Sequence, residues 1–413
     1  MKEQIRANID QPEQLETMYR QHKSEFEKAF EELYPEIKTH PNVQVWQARL
    51  QFGKQTLKPT SNKAIALVAL LALIAGFTAK LPQFIGMESD VFFQRNIGLV
   101  VFPSIMIFFA WKQKLPVRYV VVNACVLVLT AIFINLLPPN NSDTLILACI
   151  HLPLLLWSFT GLAFIGGQLN HTDLKISFLR YNGDLLVMST IIIIAGGMLT
   201  IITIGLFELI DMNIAAWYAN HIAVWGLAAI PITATYLIQR NPQLVQQVSP
   251  TIARIFTPLV LIMLVAYLAA MVYTGKDPYN DREFLFIFNL LLIGVMAIIL
   301  FSVAEQRKQQ VLHIETVMLV ALAIVTLIVN GVALSAILFR ITQMGITPNR
   351  LAVLGSNALM LIHLLLVSYR LFLGLRRSAE NKPVEESIVV FLPIYALWAA
   401  IVVFGFPLLF DFA

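Results

Sequence analysis

Three of the seven histidines, His151, His221 and His363, lie inside long apolar runs. An imidazole titrates near neutral pH and can relay protons or bind a metal, and an ionisable group surrounded by hydrocarbon is a functional candidate by default. Asn289, Asn330 and Asn357 sit in runs of the same kind, as does Asn135, while Glu208 and Asp211 close another run. Together these residues describe a candidate polar vestibule. The plainer reading stands beside it, since a lone histidine in a helix bundle can simply donate to a neighbouring carbonyl or hydroxyl. No two histidines fall at the four-residue spacing of a metal-binding helix, so no metal, cofactor or catalytic set is expected.

Two segments rich in charge offer a second candidate. One is Gly275 to Glu283, with Lys276, Asp277, Asp281 and Arg282; the other runs from Arg340 to Arg350. Arg340 and Arg350 suit the forked hydrogen bonds that hold an anion. With both signs present and neither loop strongly basic, the reading taken is a structural tie to Asp277, Asp281 or Glu283. Thr347-Pro348 has the form of a helix start, a capping hydroxyl followed by proline in the first turn. A third set, Arg180 and Asp184, has the four-residue spacing of an ion pair on one helix. Glu305 and Glu315 flank basic residues and read as a solvated rim. Ala195-Gly196-Gly197 with Thr200, Thr203 and Gly205 makes a small-residue face suited to close helix packing.

The elements that must position these residues follow from composition. Apolar residues make up 58% of the chain and charged residues 13%, far from the balance of a soluble enzyme, a disordered chain or a disulfide-built domain. A helix needs about 20 residues to cross hydrocarbon, because its backbone polar groups must be satisfied internally. Eleven runs meet that length, centred on 63–80, 96–112, 119–138, 144–166, 185–207, 215–237, 253–274, 284–303, 316–338, 353–374 and 388–410. The prolines at 103, 153, 231, 258 and 393 are tolerated there as kinks. Cys125 and Cys149 fall near opposite ends of successive runs, too far apart to be joined.

Orientation follows from the basic residues. Alternate loops carry fifteen Lys and Arg on the side of the N-terminus and six on the other. The excess predicts a cytoplasmic N-terminus and, with eleven crossings, an external C-terminus. The net charge of +4 is spread over these loops, so no nucleic-acid partner is expected.

Residues 1–60 differ from the rest, with nine basic and nine acidic side chains, a pattern from which no cleavable leader is expected. Their spacing predicts two short helices. The first opens at Asp10-Gln11-Pro12-Glu13 and carries Leu15, Met18, Tyr19, Phe26, Phe30, Leu33 and Tyr34 in one stripe; the second carries Val43, Trp46 and Leu50. Two narrow stripes bury little, so the stripe is expected to meet the membrane, the bundle, a second copy or a partner protein.

Arg180 to Asp184 with the following Gly196-Gly197 run, Phe256-Thr257-Pro258-Leu259, Asp281-Arg282-Glu283-Phe284-Leu285 with Phe288-Asn289, and Arg340 to Arg350 with Asn357 resemble stretches of an uncharacterised family of bacterial polytopic membrane proteins that share a domain of unknown function. The resemblance covers most of residues 60–410, and the head around Trp46-Gln47-Ala48-Arg49-Leu50 resembles the soluble leader of some members. It implies a bacterial inner membrane and assigns no reaction.

The sequence thus predicts an all-α polytopic transmembrane helix bundle of eleven spans (61–413), with a small cytoplasmic N-terminal helical head (1–60). The lipid bilayer is its expected partner, with a possible protein partner at the head. Its function is read as transport of a small solute or lipid-like anion, with a non-catalytic scaffold or sensor as the alternative. A tag at the C-terminus should be modified by an impermeant reagent added outside intact cells; protection would mean an even number of crossings.

Overall fold

The computed structural model describes residues 1–56, 62–138, 142–242, 248–274, 279, 282–306, 313–377 and 382–412. The chain divides into two compact units, Met1–Ala66 and Leu67–Ala413. Its described residues contain helices and no strand.

The first unit holds α1 (Lys2–Ala7), α2 (Pro12–Gln21), α3 (Lys23–Ile37) and α4 (Pro41–Thr56). The first expected helix is in fact two, because the chain breaks at His22 with φ −135° and ψ 53°. That break folds the long apolar stripe back on itself. Leu15, Phe26, Phe30 and Leu33 meet Ile5, Val43, Trp46 and Leu50 in one core, and Phe26 is fully buried. Tyr19 stands edge-on to Phe26 and Trp46, each ring 5.7 Å away. The stripe expected to seek an outside surface is therefore consumed within the head.

Polar side chains close the outside of this core. Glu16 accepts from Arg20 Nε at 2.7 Å and from Arg49 at 2.8 Å. The hydrogen bond from Arg20 leads in holding its carboxyl below the usual 4.5, with Arg49 adding to it. A depressed carboxylate stabilises the fold above its unfolded value and loses that contribution as pH falls through the folded one. Asp10, in the expected helix opening, lies 3.1 Å from His40 Nε2, and Gln11 occupies the cap position of α2 without a side-chain bond.

Among the described residues, eleven helices are long and apolar enough to cross a membrane. They are α5 (Asn62–Ile85), α6 (Ser89–Lys112), α7 (Val117–Leu136), α8 (Asp143–Phe164), α9 (Thr172–Glu208), α10 (Ala215–Arg240), α11 (Val248–Thr274), α12 (Arg282–Gln306), α13 (His313–Met344), α14 (Pro348–Arg377) and α15 (Lys382–Ala400). A π-helical turn at Ala219–Ala223 interrupts α10, and another at Ile401–Gly405 extends α15 into Phe406–Leu409. The helices run through Pro103, Pro153, Pro231, Pro258 and Pro393.

Two large cores share the bundle. One gathers α5, α6, α8, α9 and α10 around Phe109, Tyr181 and Ile232. The other gathers α9, α11, α12, α13, α14 and α15 around Phe288, Leu322, Val367 and Ile388. The first turns of α9 serve both, through Phe178 and Tyr181 on one side and Ile176 and Leu179 on the other, and Trp157 of α8 packs against both as well. Its later Gly196, Gly197 and Gly205 have no neighbour within 4 Å of an added Cβ, so the expected close packing of that face is not made among the described residues. Cys125 and Cys149 are free thiols.

Truncating Phe26 to Ala should destabilise the head by about 3–5 kcal/mol. Hydrogen exchange on the full chain should then show residues 1–56 losing protection while the bundle keeps its own.

Candidate functional site

A polar side chain inside a bundle of this kind must find its hydrogen bonds on neighbouring helices or go without. The first polar group shows the satisfied case. Arg95, on α6, is 6% exposed and donates to the carbonyls of Ile134, Leu137 and Pro138 at 2.9–3.0 Å. Its charge sits on the carbonyl end of α7, where a cation complements the helix dipole. Beside it, Asn96 and Asn135 exchange amide bonds reciprocally, at 2.9 and 2.7 Å. Arg95 counts in the sequence only as a loop charge, yet it is a buried cap.

The second group lies where α9, α12 and the start of α15 approach one another within the same core. Arg180 of α9 bonds to the Ala304 carbonyl, and its Nε lies 3.2 Å from Glu305 Oε1 of α12. Glu305 is 4% exposed, so it is a buried partner of Arg180 and not a solvated rim. Sequence spacing couples Arg180 to Asp184. The structure turns Arg180 to Glu305 instead, because Gly183, lacking a side chain, lets Phe301 press onto α9 and brings α12 within reach. Asp184 and, on α15, Glu385 are also buried. A buried hydroxyl pair, Thr257 Oγ1 to Ser302 Oγ at 3.1 Å, ties α11 to α12 one turn away. Glu385 does not stand out in the sequence because a carboxylate in the first turn of a helix has an ordinary dipole explanation.

The third group contains the sequence candidates proper. Asn357 of α14 donates to Asn289 Oδ1 of α12 at 2.7 Å, and its own Oδ1 is left without a partner. His363 of α14 is fully buried. Its ring stacks on Phe391 with centroids 4.3 Å apart and planes 2° from parallel, and Nδ1 lies 3.0 Å from the Tyr395 hydroxyl. That leaves Nε2 open. Asn330 of α13 is also fully buried, and neither its Nδ2 nor its Oδ1 has a partner.

The turn between α13 and α14 sets these two residues level. It spans residues 345–347, where Gly345 takes φ +81°, a conformation that side chains resist. Thr347 Oγ1 accepts from the Arg350 amide at 3.3 Å, the expected cap, and the Arg350 guanidinium bonds the Met344 and Gly345 carbonyls at 2.9 and 2.7 Å. With so tight a link the helices run antiparallel. Asn330 lies 14 residues before Met344 and His363 lies 15 after Pro348, which at 1.5 Å per residue puts both about 21–22 Å from the turn.

The remaining candidates do not join this seam. His151 Nδ1 lies 2.9 Å from the Leu147 carbonyl of its own helix. His221 is exposed, stacked on Trp217 and 2.9 Å from that residue's carbonyl. Glu208 and Asp211 are exposed, the latter at φ +58°. The nine vestibule residues therefore resolve into Asn289, Asn330, Asn357 and His363 in one core, Asn135 paired with Asn96, and the other four apart. Arg350 is committed to the carbonyl end of α13. Arg340, half-buried, makes no ion pair among the described residues. Asp277 and Asp281 lie outside the described residues, as does the side chain of Arg282.

Removing one partner of a buried ion pair leaves the other uncompensated. Glu305→Gln or Arg180→Met should each destabilise the bundle by about 3–5 kcal/mol, whereas the double replacement Arg180→Met with Glu305→Leu should recover most of the loss. Thermal unfolding of the purified chain in detergent reads both outcomes. Comparison with protein-family models, with curated proteins and with solved structures gives no match for this chain.

Proposed function

We propose that this integral membrane protein passes a small polar solute along the seam between α12, α13, α14 and α15. One observation carries the reading: Asn330 and His363 stand level on adjacent helices, both fully buried, and three of their polar atoms have no hydrogen-bond partner. A buried polar atom without a partner costs about 1–3 kcal/mol, so a protein that keeps three at one depth gains by having them occupied. The seam is graded along its length. Asn289 and Asn357 occupy one end, His363 and Tyr395 the middle, and the Arg180–Glu305 pair and Glu385 the other end. A solute moving through would exchange one set of hydrogen bonds for the next without entering hydrocarbon.

On this reading the basic loops hold the N-terminus and the head in the cytoplasm, and the charged end of the seam faces that side. The family resemblance supports a bacterial inner membrane as its place. The scaffold alternative rested on a free apolar stripe in the head. With Leu15, Phe26, Phe30 and Leu33 inside the head's own core, that support is gone.

The full chain in lipid vesicles should admit at least one of glycerol, acetamide or acetate faster than protein-free vesicles, measured by stopped-flow light scattering. His363→Phe, which keeps the ring stack and removes Nε2, should lower that flux about tenfold. Permeability equal to bare lipid for all three solutes would end the transport reading.

A further inference from the structure

From the same open atoms we infer the substrate class: a small uncharged solute carrying a primary amide or urea group. The inference rests on the transport reading above and concerns the chemistry of its central site. A primary amide presents an N–H donor and a C=O acceptor along one edge, and two such edges close on each other with two hydrogen bonds. This bundle already contains that arrangement. Asn96 and Asn135 form it across α6 and α7, each Nδ2 donating to the other's Oδ1 at 2.9 and 2.7 Å. Asn182 is satisfied differently, donating to the Phe178 carbonyl at 2.6 Å and accepting from Trp157 Nε1 at 2.9 Å.

Asn330 has the same edge and no hydrogen-bond partner across it. Both of its polar atoms are open in a fully buried side chain, between Thr326 and Ala333, which are also fully buried. The missing complement is a second amide edge. A solute amide placed there restores the reciprocal pair and satisfies donor and acceptor together. A single hydroxyl, which donates and accepts at one oxygen, cannot meet the two separated atoms of that edge with the same geometry, and a carboxylate offers acceptors alone.

His363 supplies the remaining contact. Its Nδ1 is engaged with the Tyr395 hydroxyl and its plane is fixed by Phe391, so Nε2 is the ring's open position at the depth of Asn330. In one tautomer it donates to a solute carbonyl, and in the other it accepts the second N–H of the amide. Two fixed groups meeting one small planar solute from adjacent helices give orientation as well as affinity.

The experiment compares acetamide and urea with glycerol and acetate in vesicles containing the full chain. Acetamide and urea should enter faster than in protein-free vesicles and faster than the other two. Asn330→Leu should lower amide flux about tenfold, as should Asn330→Ser, a polar replacement that keeps the protein soluble in detergent but lacks the paired edge. Asn123→Leu removes, among the described residues, the other buried amide with both atoms open, on α7, and should leave the flux unchanged. Protein-dependent passage of glycerol or acetate without acetamide would overturn the amide assignment and leave transport standing. Amide flux undiminished in both Asn330 variants would overturn it too, and no protein-dependent flux at all would remove both.

Discussion

Hydrocarbon offers no hydrogen bond, and that constraint sorts the polar side chains of Leu67–Ala413. A hydroxyl one turn from a carbonyl satisfies itself on its own helix, as Thr190, Thr200 and Thr203 do, and so stays on lipid-facing surface at little cost. Amides and guanidinium groups need more partners than one helix supplies. They draw a second helix toward them, and the result is the contacts between α6 and α7, α9 and α12, and α12 and α14. The polar minority therefore specifies which helices pair, while apolar packing fills the space between.

Those interhelical contacts differ in what they leave over. The Arg95 cap and the Asn96–Asn135 exchange are closed systems. The Arg180–Glu305 contact is closed by charge, in a region where desolvation makes any loss of one partner costly. The α13–α14 hairpin is the exception, since its tight turn forces Asn330 and His363 to one level without pairing them. Open atoms here follow from backbone geometry, which places each helix by its turn and its apolar seam before the side chains can choose partners.

The class of fold was legible because it depends on run length and composition, which tolerate many errors. All eleven crossings could be counted from apolar runs, including the short run around Pro103 that becomes α6. Partners were less legible. Spacing on one helix coupled Arg180 with Asp184, but the choice of Glu305 depends on how closely α12 approaches, and that is set by Gly183 and Phe301. In the head, Leu15 to Tyr34 read as one continuous stripe because nothing in the residue types announces a break at His22. A straight stripe needs an outside surface, whereas the same stripe bent makes a core. Of the site, Asn330, Asn357 and His363 were recognisable as costly residues. Their shared depth required the turn at Gly345.

The unequal lengths of the helices carry a further consequence. At 1.5 Å per residue the 37 residues of α9 span about 55 Å, against about 30 Å of bilayer hydrocarbon. Tilting alone cannot absorb so large a mismatch, since membrane helices incline by about 20° on average. A stretch of α9 must emerge among the lipid headgroups, and its buried, charge-bearing first turns are the portion suited to do so. Arg180 and Glu305 then lie near the aqueous boundary, where thinning or thickening of the surrounding bilayer would change how deeply the pair is immersed.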